Sequence, residues 1–331
     1  MPRPSEDDLI ATYFAPLAGP GAFGLRDDAA ALAPRPGQDI VLTKDLLVAG
    51  VHFFVNDPPD AIARKALRVN LSDLAAKAAE PIGYLLGLAL PEDWTADWLA
   101  AFALGLQQDG AAYQCPLLGG DTVKTRGPLM LSVTALGAVP SQKMLPRGGA
   151  AVGDLLYVSG TIGDGALGLK LRLDAPEDRH WTAVMTPASA AYLRERYLLP
   201  QPRLALREAL RLHAHAAMDI SDGLAGDLAK MLGLVGMTTE IVAAKVPLSA
   251  AAREALKLEP KLIETILTGG DDYEILCAVA PAKAAGFEAA AAAAGINVSV
   301  IGGAAPGASP PIFKDGEGRA LSFARPSFQH F

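Results

Sequence analysis

Apolar positions fall along this chain in two rhythms. Short apolar runs bounded by glycine, proline or acids predict strands at Ile40–Asp45, Ile82–Leu90, Leu129–Val139, Leu155–Ser159 and Tyr273–Val279. Between them, apolar residues three and four apart predict helices over Glu6–Tyr13, Asp60–Leu67, Thr95–Ala112, Ala166–Leu173, Ala188–Tyr197, Arg203–His213 and the Ala-rich Phe287–Ala294. Asp174–Thr186 reads as a polar surface segment, and Gly160-Thr-Ile-Gly-Asp-Gly165 as a tight strand-to-helix turn. The alternation predicts an α/β (α+β) fold of two sandwiches. Texture changes over Pro140–Gly153, where Lys143, Pro146 and Arg147 lead into a run of small residues. The domain boundary is placed there, giving domains 1–140 and 150–331.

One stretch, Val69-Asn-Leu-Ser-Asp-Leu-Ala-Ala76, reads as a strand end turning straight into a helix. That reading puts Asp73 in the first helical turn, at the positive end of the helix dipole. A single Ser-Asp pair of this kind is more often a helix cap than a site. Here the pattern recurs: Asp219-Ile-Ser221-Asp222 echoes it, and Gly119-Gly-Asp121 is echoed by Gly269-Gly-Asp271. Acids stand at such junctions at Asp28, Asp45, Asp73, Asp121, Asp219 and Asp222, with Thr43, Ser72, Thr122 and Ser221 beside them. Carboxylate and hydroxyl oxygens suit hard cations, and so many like charges repel unless divalent ions sit among them. The set reads as a polyphosphate site with several Mg²⁺ ions. No Cys/His cluster has zinc spacing, and neither a phosphate-binding P-loop nor a protein-kinase motif set is present.

The composition of the 331 residues, 51% hydrophobic and 20% charged, is that of a compact globular protein. A net charge of -7 argues against a nucleic-acid partner. The acidic N-terminus lacks the apolar core of a signal peptide, and the apolar run Pro81–Leu90 is too short for a membrane span. Cys115 and Cys277, the only two cysteines, lie in apolar contexts that suit reduced core residues in the cytoplasm. Trp94 and Trp98, one helical turn apart, read as packing residues, and Asp272 and Glu274 as solvent-facing flanks of a strand.

Six segments carry a resemblance: Gly24-Leu-Arg-Asp-Asp28, Thr43-Lys-Asp45 leading to Gly50-Val-His52-Phe53, Val69–Ala75, Gly119-Gly-Asp121-Thr122, Asp219–Leu224 and Gly269–Leu276. Together with the tail from Phe328 through Gln329-His330-Phe331, they resemble the thiamine-monophosphate kinase family. That family belongs to the superfamily of aminoimidazole-ribonucleotide synthetase and selenophosphate synthetase. The resemblance implies a homodimer whose N-terminal domains pair into a β-barrel, with ATP and several Mg²⁺ in a cleft beside it. It implies metal ligation by Asp28, Thr43, Lys44 (through its carbonyl), Asp45, Asp73, Asp121, Asp219 and Asp222. ATP contacts would come from Tyr113, Gly120, Asp121, Arg147 and Ser221. Thiamine monophosphate would be held by His52, by Asp271 where the family more often has Glu, and by Phe328 where it has Trp or Tyr.

The chemistry expected of such a site is simple. A phosphate monoester is largely dianionic at neutral pH, so the attacking oxygen needs no general base. Direct in-line transfer from ATP, without a covalent intermediate, would give thiamine diphosphate and ADP. Aminoimidazole-ribonucleotide synthetase is the nearest alternative. Selenophosphate synthetase is disfavoured because no cysteine lies in the first 114 residues, and the hydrogenase-maturation relative because the chain lacks a cysteine tail. A nucleotide-binding regulator without turnover is the alternative of a different class.

Overall fold

A computed structural model describes residues 5–33 and 35–328. The chain divides into two compact units: one runs up to Lys143, apart from Ala75–Ala78, and the other comprises Ala75–Ala78 and the chain from Met144 onward.

Four strands make the sheet of the N-terminal unit: β1 (Gln38–Val48), β2 (Glu80–Leu90), β3 (Leu117–Lys124) and β4 (Met130–Pro140). Their order is β1-β4-β2-β3, with β4 antiparallel to both neighbours and β2 parallel to β3. Alternation along the strands separates two faces. Val41 and Leu47 of β1 and Tyr84, Leu86 and Leu88 of β2 are buried. Leu42, Leu46, Leu85 and Val123 are exposed, Leu42 by 64%. Helices α1 (Pro59–Ala76) and α2 (Ala96–Ala112) belong to the same layer, tied together where Arg64 and Arg68 both donate to the buried Asp109 (3.1 and 2.5 Å). Trp98 stacks on Phe102 (centroids 5.2 Å apart), in keeping with a packing role.

Helix α1 corrects the reading of Val69–Ala76. No strand end is present there; the stretch is the second half of an 18-residue helix, and Asp73 stands in its last turn. Val, Asn and Ser are weak helix formers, but burial overrides propensity here. Asn70 and Ser72 are fully buried, and the Asn70 side-chain amide donates to the Ala66 carbonyl at 3.0 Å, one turn back. The echo between this stretch and Asp219–Asp222 is therefore one of sequence only. Gly119-Gly-Asp121 likewise lies inside β3, whereas Gly269-Gly-Asp271 lies in an irregular loop.

The C-terminal unit has an antiparallel sheet of β5 (Leu155–Ser159), β6 (Ala214–Ile220), β7 (Glu274–Val279) and β8 (Val298–Gly303) in the order β8-β5-β7-β6. Leu156, Val158, Met218, Ile220, Leu276 and Ile301 bury one core with Leu228 and Leu232 of helix α5 (Leu224–Gly233). A second core joins helices α3 (Asp164–Leu173), α4 (Pro187–Leu198), α6 (Ala250–Leu258) and α7 (Leu262–Thr268). Trp181 is fully buried in that second core, and its indole N–H donates to Asp178 at 3.0 Å. The segment read as polar surface thus holds a core anchor.

Asp272 and Glu274 are not solvent-facing. The Asp272 carboxylate accepts the N–H groups of Gly163 (2.7 Å) and Gly165 (3.1 Å) at the start of α3. Burial pushes its pKa well above the ordinary range, against those two bonds. Glu274, with no exposure, accepts from Ser159, Arg196 and Arg203. Both cysteines are buried and unbridged; burial pushes the Cys115 thiol up to about 12 and Cys277 further, so neither has thiolate character. No helix among the described residues is long and apolar enough to cross a membrane.

Candidate active site

Within the N-terminal unit, Asp28, Lys44, Gly120 and Asp121 line one cavity of about 790 Å³ on the open side of the sheet. Gly120 is required by packing: a Cβ there would lie 2.1 Å from the Leu86 carbonyl oxygen. The Lys44 side chain shares this face, its Nζ donating to Ser132 Oγ. Thr43 and Asp45 alternate to the opposite face, where the Thr43 hydroxyl donates to the Asp73 carboxylate. Register puts Thr43 in line with Ala135 and Tyr84, and Asp121 in line with Gly87, Ser132 and Leu46. Three strand spacings and three residues therefore separate Thr43 from Asp121, roughly 15 Å or more between Cα atoms. A single ion with ligand distances of about 2 Å cannot touch both within one chain. Among the described residues, no three His, Cys, Asp or Glu side chains converge on a metal-sized point.

Asp73 now carries a different electrostatic meaning. In the last turn of α1 it faces the negative end of the helix dipole, which disfavours a carboxylate by itself. Every predicted ligand offers oxygen, as Mg²⁺ requires, so the donor set fits that ion.

His52 lies in the tight turn after β1, where its Nδ1 accepts the Val48 N–H at 3.0 Å. The neutral ring therefore carries its proton on Nε2. Tyr113 caps α2 half-buried, with the Arg68 guanidinium 5.6 Å above its ring.

The C-terminal unit gathers most of its predicted residues around the turn from β6 to α5. Asp219 is the penultimate residue of the strand and is buried, and Ser221 and Asp222 form the turn. The carboxylate of Asp227 accepts both of their backbone N–H groups, at 3.1 and 3.0 Å. Burial raises the Asp227 pKa, with Lys230 working against the shift. Lys230 pairs with Asp227 (2.9 Å) and Asp222 (2.5 Å). The Asp271 N–H donates to the Ser221 carbonyl at 2.9 Å, and the Tyr273 N–H to that of Ile220 at 2.8 Å. Asp271 and Tyr273 have φ of 68° and 52°, a left-handed backbone that costs on the order of 1 kcal/mol each. Gly270 permits this close docking, since a Cβ there would meet the Ser221 oxygen at 2.3 Å. The tail closes on the same turn through the Phe328 N–H, which donates to the Asp222 carbonyl at 3.0 Å. Arg147 is exposed, just after Pro146, whose carbonyl accepts the Ala217 N–H of β6. Gln329–Phe331, which complete the resembling tail, lie outside the described residues.

Five of the residues expected at the site, Asp219, Ser221, Asp222, Asp271 and Phe328, thus lie at or against one turn of the C-terminal unit. The sequence reading left out Lys65, which bonds the His52 carbonyl, and Arg196, Asp272 and Glu274, which form a buried network beside Asp271. Comparison with known proteins adds an independent line. The family model described as AIR synthase related protein, N-terminal domain, matches residues 26–139, and that of the C-terminal domain matches residues 151–311. The thiamine-monophosphate kinase of Caulobacter vibrioides is 49% identical over 304 residues, covering 90% of this chain and 84% of that protein. A crystal structure of thiamine-monophosphate kinase from Stenotrophomonas maltophilia K279a superposes with a TM-score of 0.80 at 38% identity, covering 90% of this chain and 91% of that one. AaThiL complexed with AMPPCP and TMP gives 0.77 at 28% identity, covering 98% and 94%.

Proposed function

Because the chain belongs to the thiamine-monophosphate kinase family, we propose that it transfers the γ-phosphate of ATP directly to thiamine monophosphate, yielding thiamine diphosphate and ADP. The observation that carries the reading is the β6–α5 turn of the C-terminal unit. There the predicted ATP, metal and substrate residues Ser221, Asp222, Asp271 and Phe328 are joined by backbone hydrogen bonds, on the turn that directly follows Asp219. A relative of this fold held with AMPPCP and TMP supports the same pair of substrates.

Each residue has work suited to its place. Asp28, Thr43, Asp45, Asp73, Asp121, Asp219 and Asp222, with the Lys44 carbonyl, would hold Mg²⁺. The ions supply charge neutralisation for two anionic phosphates that must approach each other. Arg147 would add a fixed positive charge toward ATP, and Tyr113, Gly120 and Ser221 would complete that contact. Asp271 and Phe328 present a carboxylate and an aromatic face to the cationic rings of thiamine. An acceptor phosphate oxygen attacks the γ-phosphorus in line as the bond to the ADP oxygen breaks; the acceptor arrives deprotonated, so no protein base or covalent intermediate enters.

The active form is proposed to be a cytoplasmic homodimer. Support comes from the open sheet face, where Leu42, Leu46, Leu85 and Val123 stand uncovered on one side of a four-stranded sheet. Pairing two such sheets would close a barrel. A Leu42→Lys/Leu46→Lys variant is expected to sediment as a monomer where the unaltered protein sediments as a dimer. A monomeric unaltered protein would end this part of the proposal.

Metal removal gives the direct functional test. Exhaustive EDTA treatment is expected to lower thiamine diphosphate formation by at least about a thousandfold, with recovery on adding Mg²⁺. Turnover that persists in metal-free buffer would contradict the assigned ligand set.

A further inference from the structure

Lys65 is one of the largest fully buried side chains in the protein, 1% exposed in the middle of α1. Lysine is seldom buried so completely, because its ammonium loses hydration that only a well-placed partner restores. Its Nζ donates to the backbone carbonyl of His52 at 3.0 Å. That carbonyl belongs to a turn already tightly bonded to itself: Val51 and His52 donate to Val48, Gly50 donates to Phe53, and the Phe54 N–H is held by Asp57. Fixing the turn by a charged bond from α1 is thus an addition beyond what closing the loop requires. The same helix carries Asp73 two turns further on, about 12 Å along the axis.

We propose that Lys65 is a positioning residue that sets His52 for binding the acceptor phosphate; this rests on the kinase reading above. The ring geometry explains why the charge sits one step back. Since the Val48 N–H occupies Nδ1, His52 presents a neutral ring whose donor is Nε2–H. A neutral donor orients a phosphate while leaving its negative charge available for attack. An ammonium in direct contact would bind the same phosphate more tightly but lower its nucleophilicity. Lys65 therefore contributes order through its bond to the His52 carbonyl.

The test compares unaltered protein with Lys65→Met by steady-state kinetics and by NMR of ¹⁵N-labelled histidine. Lys65→Met should raise KM for thiamine monophosphate by about tenfold or more, the usual cost of losing an orienting partner. Both kcat and KM for ATP should stay within about threefold. In substrate-free protein, His52 should show a single tautomer with Nε2 protonated, which blurs toward tautomer averaging in the variant. Lys65→Gln, which keeps an N–H donor, should fall between the two and covers the case in which Lys65→Met does not fold. A variant that keeps both KM and the single tautomer would overturn the proposal. So would a fall in kcat with KM unchanged, which marks lost folded protein. Should the unaltered enzyme form no thiamine diphosphate, the kinase reading falls, and the tautomer comparison alone decides whether Lys65 holds His52.

Discussion

Asp73→Asn should abolish nearly all turnover while leaving the fold at least as stable as before. The carboxylate stands in the last turn of α1, where the helix dipole opposes negative charge, and it is fixed by the Thr43 hydroxyl. Asparagine keeps an oxygen to accept that hydrogen bond and removes only the charge. The helix end then gains about 0.3–1 kcal/mol. Catalysis loses a ligand that neutralises phosphate charge, expected to cost about 4 kcal/mol of transition-state stabilisation, or roughly a thousandfold in kcat. Thermal unfolding and a product assay on the same preparation check both halves. An unaltered kcat would remove Asp73 from the site; a large drop in melting temperature would mean that its charge serves the fold.

The second large effect is on stability. Glu274 is completely buried and receives Arg196 (3.0 Å), Arg203 (2.6 Å from Nε) and the Ser159 hydroxyl (2.6 Å). Glu274→Gln preserves the shape and removes the buried negative charge beside two guanidinium groups whose side chains are 9% and 20% exposed. Breaking a buried pair from one side costs about 3–5 kcal/mol, which lowers the melting temperature by roughly 10 °C for a unit of this size. The same change loosens the start of β7, which follows directly on the strained Asp271–Tyr273 turn. KM for thiamine monophosphate should therefore rise in the folded variant. Differential scanning calorimetry with and without substrate reads both. A melting temperature within about 2 °C of the parent would show that the network contributes little.

Much of the site was legible because its chemistry is local in sequence. Asp219, Ser221 and Asp222 lie on one turn, and the strand before and helix after them announce themselves by periodicity. The failure at Val69–Ala76 has a plain cause. Val, Asn and Ser-Asp are locally poor helix formers, and tertiary burial of Asn70, Leu71, Ser72 and Leu74 overrides them. A signal was present: from Asp60 to Glu80 there is no glycine or proline, and Ile62, Ala66, Leu67, Asn70, Leu71 and Leu74 keep helical spacing throughout. Asp272 and Glu274 were misread for the opposite reason. Acids beside a strand are usually solvated, and the partners that bury these two, Gly163 and Arg196, are distant in sequence. The register that places Thr43 and Asp121 at opposite edges of the sheet is likewise a property of strand order, which no local pattern encodes.

The most direct measurement is ³¹P NMR of the purified protein with ATP, Mg²⁺ and thiamine monophosphate, repeated with free thiamine and with an aminoimidazole-type ribonucleotide precursor. Growth of the thiamine diphosphate resonances in step with ADP, from the monophosphate alone and without released inorganic phosphate, is the predicted result. ATP consumed only with the ribonucleotide, or inorganic phosphate appearing in place of the diphosphate, would contradict the proposed transfer.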